Sequence, residues 1–161
     1  MNLKNIVIFM PSIEKGGADK NLFIISGFLS KKFKNVSVIT SSNINKKKFH
    51  NKIKFITPEF PVWSKFGRII KSIISILILI KVFLKKKNIL VLSFQSNILA
   101  IILCKIFSKK IITRSNSFPD QWTNNFFKKF IFKKIYPLAD HNIVNSLRTK
   151  KDFIKNYKVI P

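Results

Sequence analysis

Short apolar runs rich in β-branched residues alternate along this chain with longer segments of helical hydrophobic period, and that alternation constrains the fold more than any other feature. Ile6-Val7-Ile8-Phe9-Met10 opens the series as a nearly continuous apolar run, the pattern of a strand buried on both faces of a parallel sheet. The segment Ala18 to Lys32 follows a loop from Ser12 to Gly17 and puts Leu22, Ile25, Phe28 and Leu29 on one helical stripe. Val36 to Thr40 is the next strand, and strand, helix, strand at this spacing is a right-handed βαβ unit.

The alternation continues to the end. A Lys/Asn-rich loop (Ser41 to Lys52) leads to a short strand at Ile53 to Ile56 and a turn marked by Pro58 and Pro61. A long helix is expected from Lys65 to Lys86, apolar almost all round, then a strand at Ile89 to Leu92 and a buried helix from Ile98 to Phe107. Further strands are expected at Ile111 to Thr113 and His141 to Val144, with helices at Trp122 to Tyr136 and Leu147 to Lys155. Such alternation predicts an α/β fold: a Rossmann-like, doubly wound, mostly parallel sheet with helices on both faces. No repeat or second composition zone divides the 161 residues, so a single domain spanning 1–161 is expected.

Composition narrows the function classes. A hydrophobic share of 47% with 17 Phe excludes disorder. The lone Cys104 excludes an internal disulfide and a cysteine metal site, and a reducing cytoplasm suits it. Neither a signal peptide after Met10 nor a spanning helix is expected, because the apolar stretch Ser72 to Ile80 is closed off by Lys71 and Lys81 and a span needs about 20 apolar residues. The 31 basic and 6 acidic residues give a formal charge of +25, a field that attracts nucleic acid, an anionic membrane face or phosphorylated ligands. Nearly all of it is Lys, in a chain also heavy in Ile, Asn and Phe, a mixture that A/T-rich coding would also produce.

Chemistry concentrates in Ser12-Ile13-Glu14-Lys15-Gly16-Gly17-Ala18. In an open α/β sheet this loop lies at the carboxyl edge of the strands, where ligands bind. Paired glycines permit close backbone approach, and the helix that follows presents free N–H groups and a positive dipole end to a phosphate or diphosphate. Gly-Gly as a simple tight turn is the alternative. The patterns GxGxxG and GxxxxGK[ST] are both absent, which removes the main support for a dinucleotide or P-loop site.

A strand followed by Pro11-Ser12, Gly16-Gly17-Ala18-Asp19-Lys20 and an amphipathic helix resembles the start of family-four-type GT-B glycosyltransferases, whose usual wording is close to GGAER. Leu92-Ser93-Phe94-Gln95-Ser96-Asn97, Thr113-Arg114-Ser115-Asn116 and Ala139 to Ser146 match further, in the family's order, and Lys158-Val159-Ile160-Pro161 is similar to the family's interdomain junction. The resemblance covers essentially the whole chain and implies an N-terminal, acceptor-side domain whose C-terminal donor-binding domain is absent. It implies a nucleotide sugar as co-substrate, no other cofactor, and a glycan or lipid-linked acceptor at the cytoplasmic membrane face. On that resemblance Gly16 and Gly17 would face the donor diphosphate, and Ser93, Gln95, Arg114 and Asn116 would line the acceptor side. Many relatives carry a histidine near the end of the fourth strand, where this chain reads Ser93-Phe94-Gln95, so no catalytic residue carries over.

Glu14 could contact an acceptor hydroxyl, yet the acids are scattered and support neither a paired-carboxylate site nor a metal site. His141 reads as a structural residue of the sixth strand and His50 as a solvated one. The segment Trp122 to Tyr136 interleaves Phe126, Phe127, Phe130, Ile131 and Phe132 with Lys128, Lys129, Lys133 and Lys134, a composition that suits the headgroup region of an anionic membrane and equally a core-facing helix with a solvated lysine face. Nucleic acid is a weaker partner, because no recognition motif is present and the aromatic residues fall in segments expected to be buried. The competing function from another class is a noncatalytic basic α/β module that binds an anionic membrane or nucleic acid.

Overall fold

A computed structural model describes residues 5–13, 17–41, 48–58, 67–115 and 125–159. Six strands, β1 (Asn5–Phe9), β2 (Asn35–Ile39), β3 (Lys54–Ile56), β4 (Ile89–Ser93), β5 (Lys110–Ser115) and β6 (His141–Val144), form one sheet in the order β3-β2-β1-β4-β5-β6. Every pair is parallel. Five α-helices connect or follow them: α1 (Gly17–Lys32), α2 (Arg68–Lys85), α3 (Asn97–Ile106), α4 (Phe126–Ile135) and α5 (Leu147–Tyr157). The expected Rossmann-like, doubly wound α/β fold is therefore the observed one.

Strand alternation sorts the core into two layers. Ile6, Ile8 and Met10 project with Val36 and Val38 into a cluster closed by Leu22 of α1 and by Phe49 and Ile53. Val7 and Phe9 project the other way with Val91 and Ile111, against Leu79, Val82 and Phe83 of α2, Ala100, Ile101 and Cys104 of α3, Phe132 of α4 and Phe153 of α5. The second layer ends in an aromatic cluster: the rings of Phe132 and Tyr136 stack at 4.0 Å, and Tyr157 meets Phe132 edge-on at 4.7 Å. Such ring pairs add about 0.5–1.5 kcal/mol each beyond their buried area.

Several elements depart from their expected form for identifiable reasons. On α1, Phe28 is 59% exposed, and the face toward the sheet carries Leu22, Ser26 and Ser30. The two serines satisfy themselves by donating to Phe23 O (3.2 Å) and Gly27 O (2.8 Å), so small polar side chains can sit against the strands where a reading by hydropathy expects Phe. Strand β5 runs beyond Thr113 through Arg114 and Ser115, because β6 offers backbone partners opposite both. The helix expected from Trp122 begins, among described residues, at Phe126, where the Asn125 side chain accepts from Lys128 N (2.8 Å), and it passes into a 3-10 turn at Tyr136–Leu138 around Pro137. Residues 122–124 lie outside the described residues. Among described residues no helix is long and apolar enough to cross a membrane.

The amino edge of the sheet is closed by local polar ties. Lys109 Nζ donates to Lys86 O (3.2 Å) and Lys87 O (2.7 Å), and Asp140 both accepts from Ile111 N (2.8 Å) and donates its own N–H to Ile111 O (3.0 Å). Cys104 is fully enclosed beneath that edge, and burial, followed by the nearby Asp140 charge, pushes its thiol from 9.0 up to about 12. The thiolate is the reactive form, so Cys104 should resist aromatic disulfide reagents in the native protein and react once denatured. Because the folded value is the raised one, this contribution to stability is intact below 9.0 and declines as pH rises toward about 12. Denaturant midpoints across that alkaline window check the sign, and Cys104→Ala should remove this part of the decline.

Candidate functional site

The strand order reverses at β1. The chain moves outward to β2 and β3, then crosses back to place β4 on the other side of β1, so the loops leaving β1 and β4 diverge and open a crevice at their carboxyl ends. Backbone bonds hold this edge together: Phe94 N donates to Phe9 O (2.9 Å), Met10 N to Ile39 O (3.1 Å) and Ser41 N to Pro11 O (3.0 Å). Gln95 spans the crevice, its side-chain carbonyl accepting from Ser12 N at 3.0 Å. The sequence-derived candidate Gln95 thus ties Ser12, just past β1, to the end of β4.

Behind it lies a chain of polar contacts that joins β4, α3, β5 and the 3-10 turn. Ser93, with no exposed surface, donates to Asn97 Oδ1 (2.7 Å) and lies 3.0 Å from Gln95 O. Asn97 Nδ2 donates to Tyr136 Oη (2.7 Å) and to Arg114 O (3.1 Å), and Tyr136 Oη pairs with Ser115 Oγ at 2.5 Å. Thr113 Oγ1 donates to Asn142 Oδ1 one strand further on. Burial pushes the Tyr136 phenol upward despite the opposing bonds from Ser115 and Asn97, which keeps it a neutral donor and acceptor. Ser93 is therefore a positioning residue within the wall.

A cavity of about 530 Å³ opens on the other side of this wall, between the first turns of α2 and α3 and the end of β5. Ile69, Ile73, Phe94 and Leu99 supply apolar surface, and Ser72, Ser96, Asn97, Arg114 and Ser115 the polar part. Arg114 is only 7% exposed. Its Nη2 donates to Asn145 Oδ1 (3.1 Å) and its guanidinium lies 5.4 Å from the Phe94 ring centre, whereas Nε and Nη1 are buried with no hydrogen-bond partner among the described residues. Burial lowers its pKa from the ordinary value, yet a guanidinium stays charged in proteins. Ser96, which precedes α3, holds a left-handed backbone (φ 54°) and makes no side-chain cap, its hydroxyl instead meeting Ser72 Oγ at 2.8 Å. Strained backbone of this kind in a non-glycine residue costs about 1–3 kcal/mol and gathers at ligand sites.

Of the other expected residues, Gly17 opens α1, is exposed, and has nothing within 4 Å of where a Cβ would stand; its φ is not positive. Neither packing nor backbone conformation therefore demands glycine at that position. Glu14, Gly16 and Asn116 lie outside the described residues. His50 and His141 are both exposed. Among described residues no three His, Cys, Asp or Glu side chains gather as a metal site would require. Lys128, Lys129, Lys133 and Lys134 are all exposed on α4, and so are Phe126 (87%), Phe127 (69%) and Phe130 (52%), which departs from the core-facing reading of this segment; of the phenylalanines on α4, Phe132 is the buried one. The outer stripe of α2 is likewise open, with Ile69, Ile73, Leu77 and Leu84 exposed. Hydropathy marks these residues as core because it registers the apolar type and not which helix face meets the sheet.

Sequence reasoning missed Tyr136, Ser72 and Ser96. Tyr136 stands just before Pro137 and carries no motif, and the serines acquire meaning only when α2 and α3 converge. Compared with known families and curated proteins, the chain matches no family model and no curated sequence significantly.

Asn97 is the junction of the wall, and Asn97→Ala removes three side-chain bonds. The loss should be about 2–4 kcal/mol of unfolding free energy, at about 1 kcal/mol for each of the three bonds. Urea unfolding checks this, and an unchanged midpoint would deny the network a structural role.

Proposed function

We propose that this chain is the acceptor-side domain of a sugar-transfer enzyme, moving a sugar from a nucleotide-sugar donor to a glycan or lipid-linked acceptor. A donor-binding domain, in the same polypeptide or in a separate subunit, completes the cleft. The observation that carries the reading is the cavity at the carboxyl edge, beside the point where the strand order reverses and equipped with a buried, incompletely paired Arg114. In open α/β sheets this is where ligands bind.

Gly17 adds support. A glycine that neither sterics nor a positive φ requires, at the first position of a 16-residue helix, leaves room for a ligand to approach the helix N-terminus. The donor diphosphate is the group that this end would face, with Gly16 on the same loop. Arg114 and Ser115 would meet the acceptor, while Gln95 and Ser93 hold the loop and the wall in register. Among the described residues no carboxylate or imidazole lines the cavity.

A second reading has an observation of its own. Helix α4 exposes Phe126, Phe127 and Phe130 among Lys128, Lys129, Lys133 and Lys134, the combination by which a helix docks on an anionic bilayer. On this reading the chain is a basic module without catalysis. The two separate in one experiment: label transfer from a panel of UDP- and GDP-sugars to membrane lipid extract, by this chain with and without a donor-binding partner. Transfer only with the partner is the expected result. Salt-sensitive vesicle binding with no transfer under any pairing would favour the module.

A further inference from the structure

We propose that the cavity between α2, α3 and β5 binds a phosphate group carried on an apolar chain, with the phosphate on Arg114 and the first turn of α3 and the chain along the outer stripe of α2. The proposal takes its biological role from the acceptor-side reading, and it narrows the acceptor to a phosphorylated amphiphile.

Two independent features select an anion. Arg114 is more than nine-tenths buried, lines the cavity, and keeps two nitrogens without partners among the described residues. A buried guanidinium with unmet donors is costly unless a ligand supplies the acceptors, and phosphate oxygens match its planar fork. The second feature is α3, a ten-residue helix whose first turn, Asn97 to Leu99, lines the same cavity and receives no side-chain cap from Ser96. Free N–H groups and the positive end of the helix dipole therefore converge with the guanidinium on one space. Asp140 is engaged at the opposite edge of the sheet with Ile111 and Lys105. The hydroxyls of Ser72, Ser96 and Ser115 add neutral donors around the anion.

The rest of the wall selects what the phosphate is attached to. Ile69 and Ile73 form one side of the cavity and are themselves 77% and 52% exposed, so the apolar lining continues out of the mouth. Leu77 and Leu84 extend the same helical stripe along α2 and are 55% and 72% exposed. A free sugar phosphate would leave this surface wet. An alkyl or prenyl chain would cover it, each buried methylene contributing about 0.8 kcal/mol.

The test is equilibrium binding to the whole chain of three probes: decyl phosphate below its micelle concentration, decanol, and inorganic phosphate. Decyl phosphate should bind about tenfold or more tightly than either of the others, as expected when charge-assisted bonds and apolar burial act together. Arg114→Gln should weaken decyl phosphate about tenfold or more and leave decanol unaltered. Ile73→Asn, neutral and on an exposed face where folding tolerates it, should weaken decyl phosphate and spare inorganic phosphate. Lys31→Glu with Lys32→Glu, which lowers the overall charge far from the cavity, should change none of them. Unaltered decyl phosphate binding in both the Arg114 and Ile73 variants would overturn the proposal, as would a loss that follows the Lys31 and Lys32 charges. Inorganic phosphate binding as tightly as decyl phosphate would overturn the apolar half and identify a free phosphate. If Arg114→Gln fails to fold, Ile73→Asn decides alone. No donor is needed for these measurements, so decyl phosphate binding without sugar transfer sinks the functional reading only, and transfer without such binding sinks this site only.

Discussion

Six strands running in one direction put six carboxyl ends on one edge of the sheet, and the reversal of strand order beside β1 leaves a gap in that edge which the neighbouring helices cannot fill. Everything of chemical interest follows from this constraint. The crossover from β3 to β4 brings the start of α2 over the same edge from which α3 departs, and the cavity is the space between their first turns and the end of β5. A parallel sheet needs both faces covered, which accounts for the two apolar layers and for the near-continuous apolar runs of β1 and β4. The amino edge, by contrast, is closed by Lys109 and Asp140.

The polar wall explains why the gap is preorganised. Ser93, Asn97, Tyr136 and Ser115 saturate one another, so the side of the cavity they form has little freedom to collapse. Arg114 differs from them. Its backbone carbonyl and one terminal nitrogen are satisfied within the protein, while the remaining donors of a charged group stay unmet in a buried position. A fold that pairs Ser93, Asn97, Tyr136 and Ser115 with one another and leaves a guanidinium short of acceptors holds interaction energy in reserve for a ligand that supplies them.

Strand and helix succession was legible in the residues, because β-branched runs and helical periods are local properties that survive without knowledge of the partners. β6 occurs at the residues expected of it, and β1 and β4 within a residue or so. What escaped is nonlocal. The extension of β5 through Arg114 depends on backbone pairing with β6, and the burial of Ser26 and Ser30 in place of Phe28 depends on how closely α1 approaches the strands. For the site, Gln95 and Arg114 were visible as polar residues just after apolar strands, and their roles diverge only in three dimensions: Gln95 spans to Ser12, whereas Arg114 enters the cavity. Tyr136 could not be singled out, since its hydroxyl acquires its role from Asn97 and Ser115, residues 39 and 21 positions away.

Charge and exposed apolar surface combine differently on the two helices that carry them. On α4, lysines alternate with exposed phenylalanines beside a second cavity, of about 460 Å³, lined by Phe126, Lys129, Phe130, Lys133, Asn156 and Tyr157; on α2, an exposed aliphatic stripe leads into the cavity that holds Arg114. With a formal charge of +25, anion binding by itself says little about where the anion sits. The deciding measurement is therefore positional: a nitrogen–proton correlation titration of the labelled chain with a phosphorylated amphiphile, following the backbone amides of Ile98 and Leu99 and the side-chain Nε–H of Arg114. The account predicts that these three signals shift together and saturate first. Shifts confined to Lys128, Lys129, Lys133 and Lys134 on α4, with Arg114 unmoved, would contradict it.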